Sequence, residues 1–209
     1  MRMYGLNANG LIASLNMIHQ VTLLFYALLL FSGFFESVCF AASGNDDVLL
    51  VIQKNNKWGY INSTGEMIIQ PIFDGAFEFS EGLAVIELKG KWGYINKSGK
   101  IIIKASYDGA WSFSEGLAVV RVGRKRGYIN RTGNFVIQPQ FFDAWNFSQG
   151  LAKVEVNGVW GYIDRTGNMT IKPRFDDVDN FTHGLARVEV AGQWGYIDKA
   201  GKFIWRSTK

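Results

Sequence analysis

The chain has 209 residues, of which 15% are aromatic and 19% charged, with 24 Gly and only 3 Pro. This composition excludes a disordered chain and is typical of one folded, turn-rich β domain. The formal net charge of +4 permits weak attraction to anionic surfaces but does not demand a nucleic-acid partner, and we expect none. Because the single cysteine, Cys39, lies before the folded part, we expect neither a disulfide nor a Cys/His metal set there.

The N-terminal segment has the features of an export signal. Residues 21–35 form an apolar run of signal-peptide length, and Glu36 stops it short of a membrane span. Cleavage after Ala41 would put small residues at both positions that the cleavage site requires. We therefore expect residues 1–41 to be a signal peptide, and residues 42–47 to be a linker.

This interpretation leaves several points open. Translation could start at Met1 or at Met17, since residues 1–16 carry few cations for a signal peptide. The expected localisation is periplasmic, cell-surface or secreted. An uncleaved leader that anchors the chain to the membrane is one alternative, and a cytosolic protein is another.

Residues 48–206 contain five copies of one sequence unit, followed by a short tail at 207–209. The copies start 34 residues apart with no insertion or deletion, and the third has Arg126 where the others have Trp. A fixed period of this length marks tandem supersecondary units. Four copies carry Trp-Gly-Tyr-Ile, beginning at Trp58, Trp92, Trp160 and Trp194.

Each unit predicts three antiparallel strands. In the second unit the first strand, residues 83–88, alternates between apolar and mixed side chains, which is typical of a half-buried strand. A short Gly turn leads to the second strand, in which Trp92 and Tyr94 share one face. Gly93 between them permits close approach of another backbone or ring.

The second half of the unit contains a turn, a third strand and a connector. Residues 96–99 predict a type I turn that ends in a left-handed Gly. The third strand covers residues 100–104, and in three of the units we expect a Pro to end it. We interpret residues 107–116 as a connecting loop, with one helical turn as an option, and expect its recurrent Phe to pack into the core. In the last unit, Trp205 replaces an Ile and predicts a bulky lid on the stack.

The pattern G-L-A-x-V-x-x-x-x-K-W-G-Y-I-[ND]-x-[ST]-G-x-x-x-I-x-P-x-F-D-x-A-x-x-F-S-E resembles the bacterial WG repeat family, also called KWG repeats. The resemblance covers residues 48–206. It implies a β-rich repeat array, often exported or attached to other domains, without defined catalytic residues. The chain departs from the pattern at Arg126 in place of Trp, Ala105 in place of Pro, and Phe142 in place of Asp.

The predicted fold is all-β, with five tandem three-stranded antiparallel meander repeats that form an open, twisted array. The alternative is a closed five-bladed β-propeller, which would bring Val48 near Trp205.

Candidate sites are expected where the copies differ, because a structural need recurs in every unit. The repeated Trp and Tyr are therefore predicted to form the seam between units, with an aromatic ladder for sugar rings or peptides as the alternative. The variable connector aromatics Trp111 and Trp145, together with Phe77, are better ligand candidates.

The third unit is also unusually basic, and facing strands are predicted to gather its cations into one patch. Arg126 stands out, because a planar guanidinium can stack where an aromatic ring stacks. The patch could bind phosphate, carboxylate or an acidic partner, or it could be a solvated hairpin tip. Its residues are Arg121, Arg124, Lys125, Arg126 and Arg131.

No side chains suggest an enzyme. His183 falls at a connector position, and the recurrent connector Asp residues are expected to cap turns rather than to hold Ca²⁺. We therefore expect no catalytic residue, cofactor or metal. The leading prediction is an exported non-enzymatic binding module that makes protein or glycan contacts at the cell envelope. A structural scaffold without a small ligand is the alternative, and an enzyme is a remote one. A glycan binder should expose Trp111 and Trp145, whereas a scaffold should bury them.

Overall fold

The computed structural model describes residues 48–207, which contain strands and turns and no helix. Nineteen strands form five antiparallel sheets along the chain. Within this range there is consequently no helix long and apolar enough to cross a membrane. The predicted signal peptide at 1–41, the linker at 42–47 and most of the tail at 207–209 lie outside the described residues.

The five sheets are numbered in chain order. Sheet 1 contains β1 (Leu50–Lys54), β2 (Lys57–Ile61) and β3 (Met67–Phe73). Sheet 2 contains β4 (Gly75–Ala76), β5 (Leu83–Leu88), β6 (Lys91–Asn96) and β7 (Ile101–Tyr107). Sheet 3 contains β8 (Gly109–Ala110), β9 (Leu117–Val122), β10 (Lys125–Asn130) and β11 (Phe135–Phe141). Sheet 4 contains β12 (Asp143–Ala144), β13 (Ala152–Val156), β14 (Val159–Ile163) and β15 (Met169–Phe175). Sheet 5 contains β16 (Asp177–Val178), β17 (Leu185–Val190), β18 (Gln193–Asp198) and β19 (Phe203–Arg206).

The predicted three-stranded meander is confirmed, and the connector adds a short fourth strand to sheets 2 to 5. In sheet 2, Gly75 pairs with Glu87 and Ala76 with Ile86. The ladder continues as the Phe77 amide donates to the Val85 carbonyl at 3.0 Å. This edge strand supplies partners to backbone groups of β5 that would otherwise be unpaired. The predicted connecting loop therefore begins with a short strand, and the optional helical turn does not occur in the connectors that the structure describes.

The third strand continues through the proline instead of ending at it. Trp58 pairs with Phe73 and Tyr60 with Ile69, so two steps along β2 match four steps along β3. The extra residues form a bulge, and Pro71 lies within it, where a backbone donor is not needed. A register shift at the same place recurs in sheets 2 to 4.

The bulge explains the glycine of the repeated Trp-Gly-Tyr-Ile sequence. A Cβ atom added to Gly93 would lie 2.6 Å from both the Ile103 carbonyl oxygen and the Ala105 nitrogen. The bulged backbone therefore occupies the space of a side chain. The predicted close approach of a backbone at this glycine is confirmed.

The sheets stack face to face, and the core lies between them. The face of a sheet that contacts the next sheet is called its forward face, and the opposite one its backward face. Between sheets 2 and 3 the forward face contributes Val85, Tyr94 and Ile103, and the backward face contributes Ala118, Val120 and Ile129. The same packing recurs at the other three interfaces. Because most sheets have neighbours on both sides, Ala84 and Val85 are both buried, so the prediction of a half-buried first strand was wrong.

The repeated tyrosine is the centre of each interface, which confirms the predicted seam for Tyr, whereas the repeated Trp is only partly buried beside it. The Tyr94 hydroxyl donates to the Trp111 carbonyl of sheet 3 at 2.9 Å, and its ring packs against Phe113, with centroids 4.9 Å apart. A second bond crosses between neighbouring connectors, as Ser80 Oγ donates to the Phe113 carbonyl at 2.7 Å. Since buried polar groups need partners, these bonds fix how each sheet sits on the next.

The array is open at both ends, as predicted, and the closed propeller is wrong. Tyr196 of sheet 5 is 42% exposed, whereas its equivalent Tyr94 is 0% exposed. At the other end Leu50 is exposed, although Ala84 at the equivalent position is buried. Trp205 lies beside Tyr196, with ring centroids 6.3 Å apart, and covers it only in part.

Candidate functional site

One position of the connector is Phe, Trp or Asp in different units and lies along one rim of the array. It directly follows the short fourth strand, and a buried tyrosine of the preceding sheet holds its carbonyl. The position is occupied by Phe77, Trp111, Trp145 and Asp179, whose carbonyls accept hydrogen bonds at 2.7–2.9 Å. The backbone here is therefore fixed by the fold, while the side chain is free to vary.

Each rim residue contacts its own sheet in a different way. Phe77 stacks on Trp92, with centroids 5.6 Å apart and planes inclined by 24°. Trp111 instead lies under the guanidinium of Arg126, whose Cζ is 4.4 Å from the ring centroid. A cation over an aromatic face is attracted by the ring quadrupole. The Arg in the Trp slot therefore stacks on an aromatic ring.

The last two units differ again. Lys153 Nζ lies 5.1 Å from the Trp145 ring and 5.6 Å from the Trp160 ring, so one cation is shared by two indoles. In sheet 5, Asp179 forms an ion pair with Arg187 at 2.9 Å. The fold thus presents four chemically distinct surfaces at one structural position.

A hollow of about 390 Å³ opens on the rim between sheets 2 and 3. The stacked rings of Phe77 and Trp92 form one wall, while Trp111, Arg121 and Arg126 belong to sheet 3 on the other side. Asp108, Gly109 and Ala110 complete the lining. The volume falls within the range of small-ligand sites.

Arg126 is held by sheet 4 as well as by Trp111. Its Nη1 donates to the Ala144 carbonyl at 3.1 Å and forms an ion pair with Asp143. Among the described residues, its buried Nε has no hydrogen-bond partner. A buried unpaired donor costs about 1–3 kcal/mol, against which stand the ion pair with Asp143, the bond to Ala144 and the contact with Trp111.

Arg121 brings a positive charge that its own contact does not neutralise. Its Nη2 donates at 2.7 Å to the carbonyl of Asp108, which is a neutral acceptor. The Asp108 carboxylate accepts from Lys91 Nζ and from the Gly123 amide, each at 2.6 Å. The hydrogen bond from Lys91, followed by the one from Gly123, lowers the pKa of Asp108. The charges of Lys91 and Arg121 both act on Asp108, and Arg121 and Arg126 line the hollow with this one carboxylate, so the hollow is basic.

The other predicted cations do not reach the hollow. Arg124 is exposed at the tip of the β9–β10 hairpin, and Lys125 Nζ lies 3.4 Å from the centroid of Phe142. Lys57 and Lys91 meet Asp74 and Asp108 at the equivalent positions, so Phe142 replaces a carboxylate with a ring.

Arg131 lies at the opposite end of the hairpin, because Lys125 pairs with Val122 whereas Asn130 pairs with Leu117. Its guanidinium lies against Gly82 of the preceding unit. A strand of this length spans about 17 Å. The expectation that Arg131 joins one patch with Arg121 and Arg126 was therefore wrong.

The connector carboxylates anchor the hairpin turn that lies 15 residues further along the chain, instead of forming an Asx-turn or a cap within the connector. Asp74 accepts from the Lys89 amide at 2.7 Å, and Asp176 accepts from the Ala191 amide at 2.6 Å. Within residues 48–207, no group of three or more His, Cys, Asp or Glu residues could hold a metal ion.

The two tryptophan candidates, Trp111 and Trp145, differ in their exposure to solvent. Trp145 is exposed, as is Phe77, whereas Trp111 is half-buried beneath Arg126. Sequence reasoning assigned Trp92 to the seam and did not consider Lys153. The sequence could have pointed to Lys153, because it is a lysine at the position that Val85 and Val119 occupy in other units, where both are buried.

Comparisons with known proteins agree with this architecture. A family model described as WG containing repeat matches residues 58–92, 92–125, 127–160 and 160–194. Among solved structures, Kluyveromyces lactis Hsv2 is similar at 12% identity, with a TM-score of 0.52, over 78% of this chain and 61% of that one. A eukaryotic initiation factor is similar at 11% identity, with a TM-score of 0.53, over 78% of this chain and 52% of that one. This chain thus spans less than two thirds of either protein, and the likeness concerns the fold alone. No match was found among curated proteins.

Proposed function

Because the chain belongs to the WG containing repeat family, we propose that its repeat domain is an exported, non-enzymatic binding module for an acidic glycan. The family and the all-β repeat fold support a module without catalysis. The export of the chain is supported by the apolar run at 21–35 and the small residues that end at Ala41.

The observation that carries the proposal is the hollow between sheets 2 and 3. It combines the stacked rings of Phe77 and Trp92 with the guanidinium of Arg121, within about 390 Å³. Sugar rings have apolar faces that pack on aromatic side chains, and a carboxylate matches the forked donors of arginine. A sugar acid has both features in one unit, so it fits this hollow better than a neutral sugar does.

A protein partner fits the same site less well. An acidic peptide side chain could pair with Arg121, but it has no flat ring for the Phe77–Trp92 wall. Retention of acidic peptides in place of glycans is therefore an outcome that the binding experiment must distinguish.

The test is a calorimetric titration of the purified protein with oligogalacturonate, a neutral oligogalactoside and oligoglutamate. Arg121→Gln removes one guanidinium from the hollow, and Arg124→Gln removes an exposed cation three residues away at the hairpin tip. We expect oligogalacturonate to bind, the neutral sugar to bind at least tenfold more weakly, and Arg121→Gln to lose roughly tenfold or more in affinity. The Arg124→Gln control should remain within about twofold of the wild type.

Three results would count against the glycan. Equal binding of the neutral sugar would remove the role of the carboxylate. Equal losses in Arg121→Gln and Arg124→Gln would show that general charge, not the hollow, attracts the ligand. Binding of oligoglutamate alone, lost in Arg121→Gln, would replace the glycan with a protein partner.

Export has a separate test. Intact-mass measurement of the protein recovered from cells should give an N-terminus at residue 42. A chain that begins at Met1 or Met17 would contradict cleavage of the leader.

A structural role in the envelope is the second candidate function. One observation favours it, namely the exposed faces at the two ends of the array.

A further inference from the structure

The two exposed ends of the array are the two halves of one repeating contact. At each of the four internal interfaces, an isoleucine on the forward face packs against the turn glycine of the next sheet. In sheets 2 and 3, for example, the side chain of Ile103 fills the space beside Gly133. The four pairs are Ile69 with Gly99, Ile103 with Gly133, Ile137 with Gly167, and Ile171 with Gly201.

On the backward face of sheet 1 the glycine of this contact is present, but no isoleucine among the described residues packs against it. Gly65 is the turn glycine of the first unit, and no atom comes within 4 Å of a Cβ built there. Beside it, Leu50 is exposed and Ile61 is half-buried, whereas their equivalents Ala84 and Ile95 are buried. Sheet 1 therefore ends in an apolar surface with an open notch.

The forward face of sheet 5 has the other half. Trp205 takes the place of the isoleucine, and Tyr196 and Leu185 beside it are exposed where the other units bury Tyr and Leu. A hollow of about 450 Å³ lies on this face, lined in part by Leu185, Arg187 and Tyr196. The end of the array thus combines a projecting indole with a cavity.

Two polar residues at the C-terminal end occupy positions whose equivalents in the internal units form hydrogen bonds to the next sheet. In the third sheet, Ser114 Oγ donates to the Phe147 carbonyl at 2.8 Å, and Glu115 accepts from the Gly150 amide at 2.9 Å. Thr182 and His183 occupy the same two positions at the C-terminal end, and both are exposed.

We propose that the forward face of sheet 5 docks on the backward face of sheet 1 of a second copy, so that copies join head to tail. Trp205 of one copy enters the notch beside Gly65 of the other, and Tyr196 covers Leu50 and Ile61. The contact continues the repeating interface from one chain into the next. It is independent of the glycan site, which lies on the rim between sheets 2 and 3.

The internal contacts favour this arrangement over a symmetric pairing of two forward faces, because each of them joins a forward face to a backward face. In the internal series, Lys153 at the position of Arg187 donates from Nζ to the Val178 carbonyl of the next sheet at 2.8 Å. A cation at this position is therefore compatible with a following sheet, and Arg187 has its counter-ion in Asp179 at 2.9 Å.

The contact is expected to be weak and open-ended. The three strands of sheet 1 limit the contact to roughly 14 Å by 18 Å, which is smaller than a standard specific interface and typical of a weak, transient one. Leu50 and Trp205 are also larger than the Ala and Ile of the internal contacts, so the copies lie further apart than adjacent sheets do. A heterologous contact that does not close into a ring adds copies one after another.

The first measurement is sedimentation velocity of the purified protein across a wide concentration range, without glycan. The average mass should rise with concentration beyond that of a dimer. Trp205→Asp should abolish this rise. The matched control is Ile204→Asp. Ile204 is 56% exposed and Trp205 is 55% exposed, and the two are adjacent in β19 with side chains on opposite faces of the sheet. Ile204→Asp should assemble as the wild type does.

The second measurement distinguishes head-to-tail docking from every symmetric one. Trp205→Asp disables one face and Leu50→Asp disables the other, so each variant alone should be monomeric. Mixed together, they should form a one-to-one dimer and no larger species, because each variant retains the face that the other lacks. Since both residues are exposed, both variants should melt within a few degrees of the wild type by circular dichroism.

A mixture that stays monomeric would overturn the proposal. Wild-type protein that remains monomeric at all concentrations, or a Trp205→Asp variant that still assembles, would overturn it as well.

Discussion

Alanine at Gly93 is expected to be the most damaging single-methyl change in the second sheet. The new Cβ would lie 2.6 Å from the Ile103 oxygen and from the Ala105 nitrogen, both in the backbone of β7. Optimal non-bonded separation is about 3.5 Å, so β7 must retreat by almost 1 Å. A retreat of that size lengthens the hydrogen bonds on either side of the bulge beyond their usual limit.

The magnitude follows from these two effects. Overpacking in a buried site costs about 1–3 kcal/mol, and each weakened backbone hydrogen bond adds about 1 kcal/mol. We expect Gly93→Ala to lower the free energy of unfolding by about 3–5 kcal/mol. Gly109→Ala is the matched control, because its nearest neighbours are the side-chain atoms Arg121 Nε at 3.2 Å and Trp111 Cη2 at 3.4 Å. Those atoms can move, so the control should cost less than about 1 kcal/mol.

The assay is thermal and urea unfolding followed by near-ultraviolet circular dichroism. For a domain of this size, the expected loss lowers the midpoint of Gly93→Ala by roughly 6–20 °C. If Gly93→Ala and Gly109→Ala were equally stable, the bulged backbone would not be the reason for the repeated glycine.

Three further changes test the interfaces and the hairpin anchors. Tyr94→Phe removes the buried hydrogen bond to the Trp111 carbonyl and should lower the free energy of unfolding in urea by about 1–3 kcal/mol. Tyr196→Phe at the open end should be nearly neutral, because Tyr196 is exposed. Equal costs of the two changes would refute the assigned role of that bond. Ser114→Ala should cost about 1 kcal/mol in the same assay, and no measurable loss would mean that water replaces the hydroxyl. Lys91 lowers the pKa of Asp108, so this carboxylate stabilises the fold above its unfolded pKa of about 3.9 and loses that effect as the pH falls through the lower folded value. The midpoints of wild type and Asp108→Asn should therefore differ at neutral pH and converge in acid, and a gap that stays constant with pH would contradict this.

The parts of the fold that were predicted correctly are those set by local pattern. Period-two alternation indicates the strands, and turn glycines such as Gly99 have the left-handed backbone expected of them, with φ at 80°. The repetition of Tyr94 in every unit identified the seam, because every interface needs the same buried ring. These signals lie within one unit and need no knowledge of how units are arranged.

The errors concern pairing and distance. The fourth strand has only two residues, too few for any hydrophobic period, and it exists because β5 leaves an edge to be paired. Pro71 looked like a strand end because its bulge depends on the register between two strands. Arg131 looked close to Arg121 because sequence separation does not show that the hairpin places them at opposite ends.

The candidate site could be predicted in part. Comparison of the copies pointed to Arg126 and Trp111, and the structure brings these two together. The comparison of copies did not point to Trp92, because a residue that is the same in most units does not distinguish one unit from another. The wall of the hollow combines a repeated residue with a variable one, Phe77, and only the stacking of sheets brings them to one place. Likewise, a repeat period contains no information on whether an array closes.

The most direct test of the proposed site is an NMR titration of the tryptophan indole N–H resonances with oligogalacturonate, assigned by single Trp→Phe variants. Trp92 and Trp111 line the hollow, whereas Trp58 and Trp205 lie on other sheets. We predict that the resonances of Trp92 and Trp111 shift and saturate together while those of Trp58 and Trp205 stay in place. Shifts confined to Trp58 or Trp205, or no saturable shift at Trp92 and Trp111, would contradict binding of the acidic glycan in this hollow.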